Sequence, residues 1–170
     1  MAEAKAPHQQ PAAEVMSVDY FIVKWLHILS ATIIFGTGIG TAFFMFTANR
    51  ERNLTHIHLT TRYVVIADWI FTAPAVVFQL ISGLYLMNAG GYHPTDAWIV
   101  EGLLLYGFAG ACWLPVVWMQ IKMRNMAATA LSKGQKLPDR YWTYNRWWII
   151  LGSLAFPSVI VIFWLMVMKP

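Results

Sequence analysis

Cysteine is almost missing from this chain of 170 residues; Cys112 stands alone. That excludes an internal disulfide framework, a CxxCH haem attachment and a multi-cysteine zinc site. Charge is scarce too: Asp, Glu, Lys and Arg make up 12% of the residues, about half the share of a soluble domain. No stretch has the form of a phosphate-binding loop, a serine nucleophile elbow or a nucleic-acid patch, so no nucleic acid is expected as a partner. What the chain does have is apolar residues, at 58%. A single domain of this length cannot hide that much apolar surface, and lipid has to cover part of it.

Residues 1–17 are rich in Ala, Pro and Gln, show no apolar period and read as a disordered tail. Over 18–170 four apolar runs follow, at about 19–46, 59–87, 97–122 and 147–168, the third with a polar helical continuation to about 132. Each meets the roughly 20 residues that cross about 30 Å of hydrocarbon. Backbone groups in lipid must be satisfied within their own segment, which makes every run a helix. The first run is too long for a signal-peptide core, contains Lys24 and His27, and is read as a retained helix. Short connections then give an all-α integral membrane protein, a four-helix up-and-down bundle in a lipid bilayer.

Basic residues orient it. Arg50, Arg52 and Arg62 flank the first connection, and Lys122, Arg124, Lys133, Lys136, Arg140 and Arg146 flank the third, nine of the twelve Lys and Arg. The connection between the second and third helices has none. The positive-inside rule puts both basic connections in the cytoplasm and both termini outside. Within the helices, Gly36 and Gly40 form a GxxxG step expected to admit a neighbouring backbone. Pro74, Pro115 and Pro157 each free a carbonyl four residues earlier and can kink their helices.

Ionisable groups inside lipid are costly, so they mark where chemistry would lie. Lys24 and His27 share a face of the first helix with Ala31, Ile34 and Gly38. Glu101, one turn into the third helix, enters from the same side and is expected to neutralise Lys24. Asp68 lies on a stripe with Thr72, Ala75 and Gln79; Asp68 and Gln79 are read as buried polar positions, with Arg62 or Arg146 as the expected partner of Asp68. An imidazole within a bundle beside small residues suits an axial haem ligand. It equally suits an interhelical hydrogen bond or a copper site. No second axial ligand stands out; His93, Met87, Met166 and Met168 collect at the same end, while His56 and His58 belong to the other and read as solvated.

The stretches VKWLHILSA, ADWIFTAPAVVFQLISGLYLM, WLPVVWMQIKMR and FWLMVMKP resemble the bacterial membrane proteins grouped as domain of unknown function 2269, from Tyr20 to Pro170. That resemblance implies the bacterial inner membrane and the four-helix architecture. More distantly, Val23-Lys24-Trp25-Leu26-His27-Ile28 and the terminal Lys169-Pro170 look like the haem-containing HemJ-type protoporphyrinogen oxidases and the wider group with copper-resistance membrane domains. This likeness implies haem b with His27 as iron ligand and Lys24 beside it, where Lys24 would hold a haem propionate or balance Glu101. The chain departs from the oxidase pattern at Phe43-Phe44-Met45-Phe46-Thr47, where a further histidine is missing, and at Arg140 and Asn145, which lack the accompanying acid.

Three readings stay open: a b-type haem or redox-associated membrane protein, a non-catalytic subunit docking another membrane protein or a second copy of itself, and copper handling at the outer end. The orientation is testable in a Cys112→Ala background. A cysteine at His93 is expected to react with a membrane-impermeant maleimide in intact cells, and one at Lys136 only after permeabilisation; the opposite pattern inverts the topology.

Overall fold

A computed structural model describes residues 18–170, and the tail expected over 1–17 lies outside them. The described chain is helical without strands: α1 (Val18–Glu51), α2 (Leu54–Ala67), a π-helical segment (Asp68–Thr72), α3 (Ala73–Ala89), α4 (Ala97–Ser132) and α5 (Asp139–Met168). α2, the π segment and α3 are one continuous rod, Leu54–Ala89, so four rods are long and apolar enough to cross a membrane. The four-helix membrane bundle is therefore present. At 1.5 Å per residue the 36-residue rods span about 54 Å, well beyond about 30 Å of hydrocarbon. Hydropathy marks only the lipid-crossing part. The helices continue past it, with α2 beginning at Leu54 and α5 at Asp139.

Local chemistry sets the ends. Asn53 caps α2, its side-chain oxygen accepting from the backbone N–H groups of Thr55 at 3.0 Å and His56 at 3.2 Å. After α3 and α4 the chain turns through glycines with left-handed backbone, Gly91 at φ +70° and Gly134 at φ +62°. There the N–H of Tyr92 bonds the carbonyl of Met87 (3.1 Å) and that of Gln135 bonds Ala130 (2.9 Å), closing each helix.

The basic-loop end is the packed end. Met45 and Ala48 of α1, Ile57 and Val64 of α2, Val116, Met119, Met123 and Ala127 of α4, and Tyr141 and Trp148 of α5 form one buried cluster. Polar groups lock its rim: the Tyr141 hydroxyl donates to Asn49 Oδ1 at 2.6 Å, and Asn49 Nδ2 donates to Asn145 Oδ1 at 2.9 Å. Across this half α2 packs on α4, and α4 runs along α5. Past the π segment the partners change, because α3 packs along α1 and makes no extended contact with α4. Within the segment the N–H of Ala73 reaches back five residues to the Asp68 carbonyl, and Pro74, which has no N–H, follows at once. A widened turn next to a proline is a recognised source of bends. On the far side, Phe35 of α1 meets Phe156 (5.0 Å) and Phe163 (5.7 Å) of α5.

One expectation changes. Among the described residues an added Cβ at Gly36, Gly38 or Gly40 would meet nothing within 4 Å, so the GxxxG step admits no close backbone there. Pro115 and Pro157 lie inside α4 and α5, and the π turn lies beside Pro74. Large apolar side chains such as Trp25, Phe43, Trp69, Ile81, Leu104 and Val167 remain exposed, as lipid-facing positions must be.

Met123 is fully buried in the packed half. Met123→Ala is expected to cost about 2–5 kcal/mol, and Tyr141→Phe, which removes one hydrogen bond, about 1 kcal/mol. Reversible denaturation in mixed micelles measures both, and the reverse order contradicts this core.

Candidate functional site

Because α3 makes no extended contact with α4, the half of the bundle away from the basic connections, the half expected to be outer, surrounds a cavity of about 560 Å³. That is within the range of small-molecule and cofactor sites, about 300–1,000 Å³. All four rods supply its wall. Lys24, His27 and Ala31 reach it from one face of α1, as their spacing anticipates. Gln79, Gly83 and Met87 come from α3, Gly102 and Tyr106 from α4, and Phe163 and Met166 from α5. Most of the wall is apolar.

The polar groups form a single chain. His27 and Ser30 project from α1 at a three-residue step, and Gln79 and Ser82 answer from α3 at the same step. The Gln79 amide donates to His27 Nε2 at 2.8 Å, and His27 Nδ1–H donates to Ser82 Oγ at 2.7 Å. Ser82 passes its own proton to the Phe78 carbonyl at 2.6 Å, which fixes this ring tautomer. Ser30 closes the set by donating to Gln79 Oε1. The imidazole stands against Gly83, where an added Cβ would lie 3.3 Å from His27 Cε1. Nearby, the Tyr106 hydroxyl crosses the gap from α4 to the Val76 carbonyl of α3 at 2.6 Å.

The outer mouth is cationic. Lys24 lies over the Tyr20 ring at 5.8 Å. Lys169 donates to the Tyr92 hydroxyl and sits over the rings of Tyr92 (4.4 Å) and Trp98 (5.5 Å). Both lysines line the cavity, and among the described residues no carboxylate does.

Of the positions expected from sequence, Lys24, His27 and Gln79 meet here, while Glu101 and Asp68 do not. Glu101 is exposed and forms no ion pair with Lys24; among the described residues one ion pair forms, His56 with Glu51 at 2.8 Å. The reason is helical phase: Gly102 and Tyr106 face the cavity, and Glu101, one residue earlier, turns away. Asp68 is buried at the start of the π segment, where Thr72 donates to Oδ1 at 3.0 Å and Oδ2 has no partner. Arg62 and Arg146, the expected partners, are exposed and not paired with it. His58, expected to be solvated, has a buried Nδ1 with no partner. Ser30, Ser82 and Tyr106 were not anticipated. The matching three-residue steps His27–Ser30 and Gln79–Ser82 are the signal that would have found two of them.

The donor set bears on metals. His27 uses Nδ1 to donate and Nε2 to accept, both towards α3, so in this conformation neither nitrogen fits an iron in the cavity. Met87 and Met166 line the same wall, but His93 is exposed and does not. Among the described residues no three His, Cys, Asp or Glu side chains gather as a metal site.

The family model described as "Predicted integral membrane protein (DUF2269)" matches residues 21–170. No curated protein and no solved structure matches.

His27 and Gln79 each satisfy the other, so their losses are coupled. In denaturation of the single and double alanine variants, a coupling free energy of about 0.5–3 kcal/mol is expected between them. Strict additivity shows that the two side chains do not interact.

Proposed function

From a chain that belongs to this family of predicted integral membrane proteins, we propose a ligand-binding membrane protein whose outer cavity takes an amphiphile with an apolar body and an anionic head. One observation carries the reading: among the described residues a mostly apolar wall holds two lysines, Lys24 and Lys169, and no carboxylate. The apolar body gains from leaving water or lipid only where the wall fits it, while the head is drawn to charge-assisted hydrogen bonds at the mouth. Tyr92 and Trp98 hold the Lys169 ammonium where the α3–α4 connection meets the end of α5. The His27–Gln79–Ser82–Ser30 chain gives the floor of the cavity a fixed polar station between α1 and α3.

A second reading, b-type haem on His27, draws on the imidazole and Lys24 standing together on the wall. It belongs to the same class of ligand, since haem is a large apolar plate with two carboxylates. It requires Gln79 to release Nε2 before the ring can meet an iron. When bound, haem would supply one-electron chemistry; Lys24 and Lys169 would hold its carboxylates.

One detergent preparation tests both. A fluorescent long-chain fatty acid is expected to bind about tenfold more tightly than its methyl ester. Lys24→Gln combined with Lys169→Gln is expected to erase that preference. Equal binding of acid and ester by the unaltered protein overturns the anionic-head reading. A reduced-minus-oxidised spectrum decides haem: no haem band, or a band unchanged in His27→Ala, removes it.

A further inference from the structure

A second cavity, of about 510 Å³, lies at the opposite end, between the end of α4 and the start of α5. Its character is different. Lys122, Lys136 and Arg140 line it, and among the described residues no carboxylate does. None of the three forms an ion pair among the described residues. Arg140 uses Nε to donate to the Tyr144 hydroxyl at 2.8 Å and lies over that ring at 5.3 Å, which holds the guanidinium in place. Its remaining N–H donors are left for an acceptor from outside. Lys122 lies over Trp118 at 5.7 Å, and Trp118 meets Tyr144 edge-on at 5.5 Å, so two cations are mounted on one aromatic pair. Gln135 and Asn125 add amides to the wall, while the Thr129 hydroxyl there already donates to the Asn125 carbonyl at 2.9 Å. A concave site with three cations and neutral donors is built for a phosphate.

Its place in the fold says which phosphate. Leu114, Trp118 and Lys122 follow one another at four-residue steps and share one face of α4. Leu114 is 65% exposed and Trp118 50% exposed, with the lysine next in line towards the basic connection. Along this face an apolar strip gives way to an interfacial tryptophan and then to a cation. That is the order of an acyl chain, a glycerol region and a headgroup met along the membrane normal. A soluble phosphate ester would need the cations but not the exposed apolar strip beneath them.

We propose that this pocket binds the phosphate headgroup of an anionic phospholipid, in the leaflet on the side of the basic connections. Lys136 and Arg140 contact the phosphate, Lys122 lies at the level of the glycerol, and the acyl chains run down the Leu114–Trp118 face. The site is separate from the outer cavity and stands or falls without it.

The test uses delipidated full-length protein in detergent and native mass spectrometry. Dioleoyl phosphatidylglycerol is expected to be retained about tenfold or more over dioleoyl phosphatidylcholine. Lys136→Gln combined with Arg140→Gln is expected to bring the two lipids level. Both side chains are exposed, so the fold should persist, and an unchanged circular dichroism spectrum checks that. Arg62→Gln, which removes an exposed cation outside the pocket, is expected to leave the preference intact. The proposal is overturned by a preference that survives the double substitution, or by one that Arg62→Gln reduces equally, which marks general surface charge. Displacement of phosphatidylglycerol by millimolar inorganic phosphate also overturns it, because the site would then serve a soluble anion.

Discussion

The contact between α2 and α4 joins the two hairpins on one half of the molecule only. Ile57 and Val64 meet Val116, Met119 and Met123 in the packed half, and the Asn49–Tyr141–Asn145 set ties α1 to α5 at its rim. Beyond the π segment the second rod keeps its contact with α1 and loses the one with α4. Hydrophobic packing between helices gains little in lipid, because the tails are as apolar as the side chains they would replace. Nothing in the outer half therefore compels α3 and α4 to close. An open cavity on one side of the joint and a dense core on the other follow from that one lost contact.

That division explains why polar groups in the outer half are arranged as they are. A hydrogen-bonding group in an apolar wall costs free energy unless it is satisfied. His27, Ser30, Gln79 and Ser82 meet this by bonding to one another across α1 and α3. The same bonds hold the two helices together where side-chain packing is thin. The charged groups obey a different rule. Lys24 and Lys169 have long stems and reach towards the outer surface, so they meet a ligand's head without bringing charge to the cavity floor.

Much of the fold was legible in the sequence, and for a physical reason. Lipid imposes a length and a composition on every crossing segment, so runs such as Trp147–Met168 announce themselves. The helix ends beyond the lipid were less visible: α2 starts at Leu54 behind the Asn53 cap and α5 at Asp139 directly after Pro138, which hydropathy does not sense. The site was half legible. Lys24 and His27 share a face by arithmetic alone, and Gln79 was marked as a polar interruption. Glu101 was misplaced because depth in the membrane does not give rotational phase, and a single step of about 100° separates it from the cavity-lining Gly102. Ser30 and Ser82 escaped notice because lone serines in membrane helices usually bond their own preceding turn, as Ser82 also does. Gly36 and Gly40 suggested close packing, yet a small residue permits an approach without requiring one.

Asp68 shows how far the joint constrains the chain. Its carboxylate is buried where α2 gives way to the π segment, with Thr72 on one oxygen and no partner on the other. The cost of such a group in a membrane is high unless something holds it. No lysine or arginine occurs in the apolar stretches of α1 beyond Lys24, of α4 between Ala97 and Ile121, or of α5 after Arg146, up to Lys169 at the outer end. Arg62 and Arg146 are exposed and not paired with it. The structure instead places Asp68 at the position where the helix changes its hydrogen-bond register, beside the Gln120 side chain of α4.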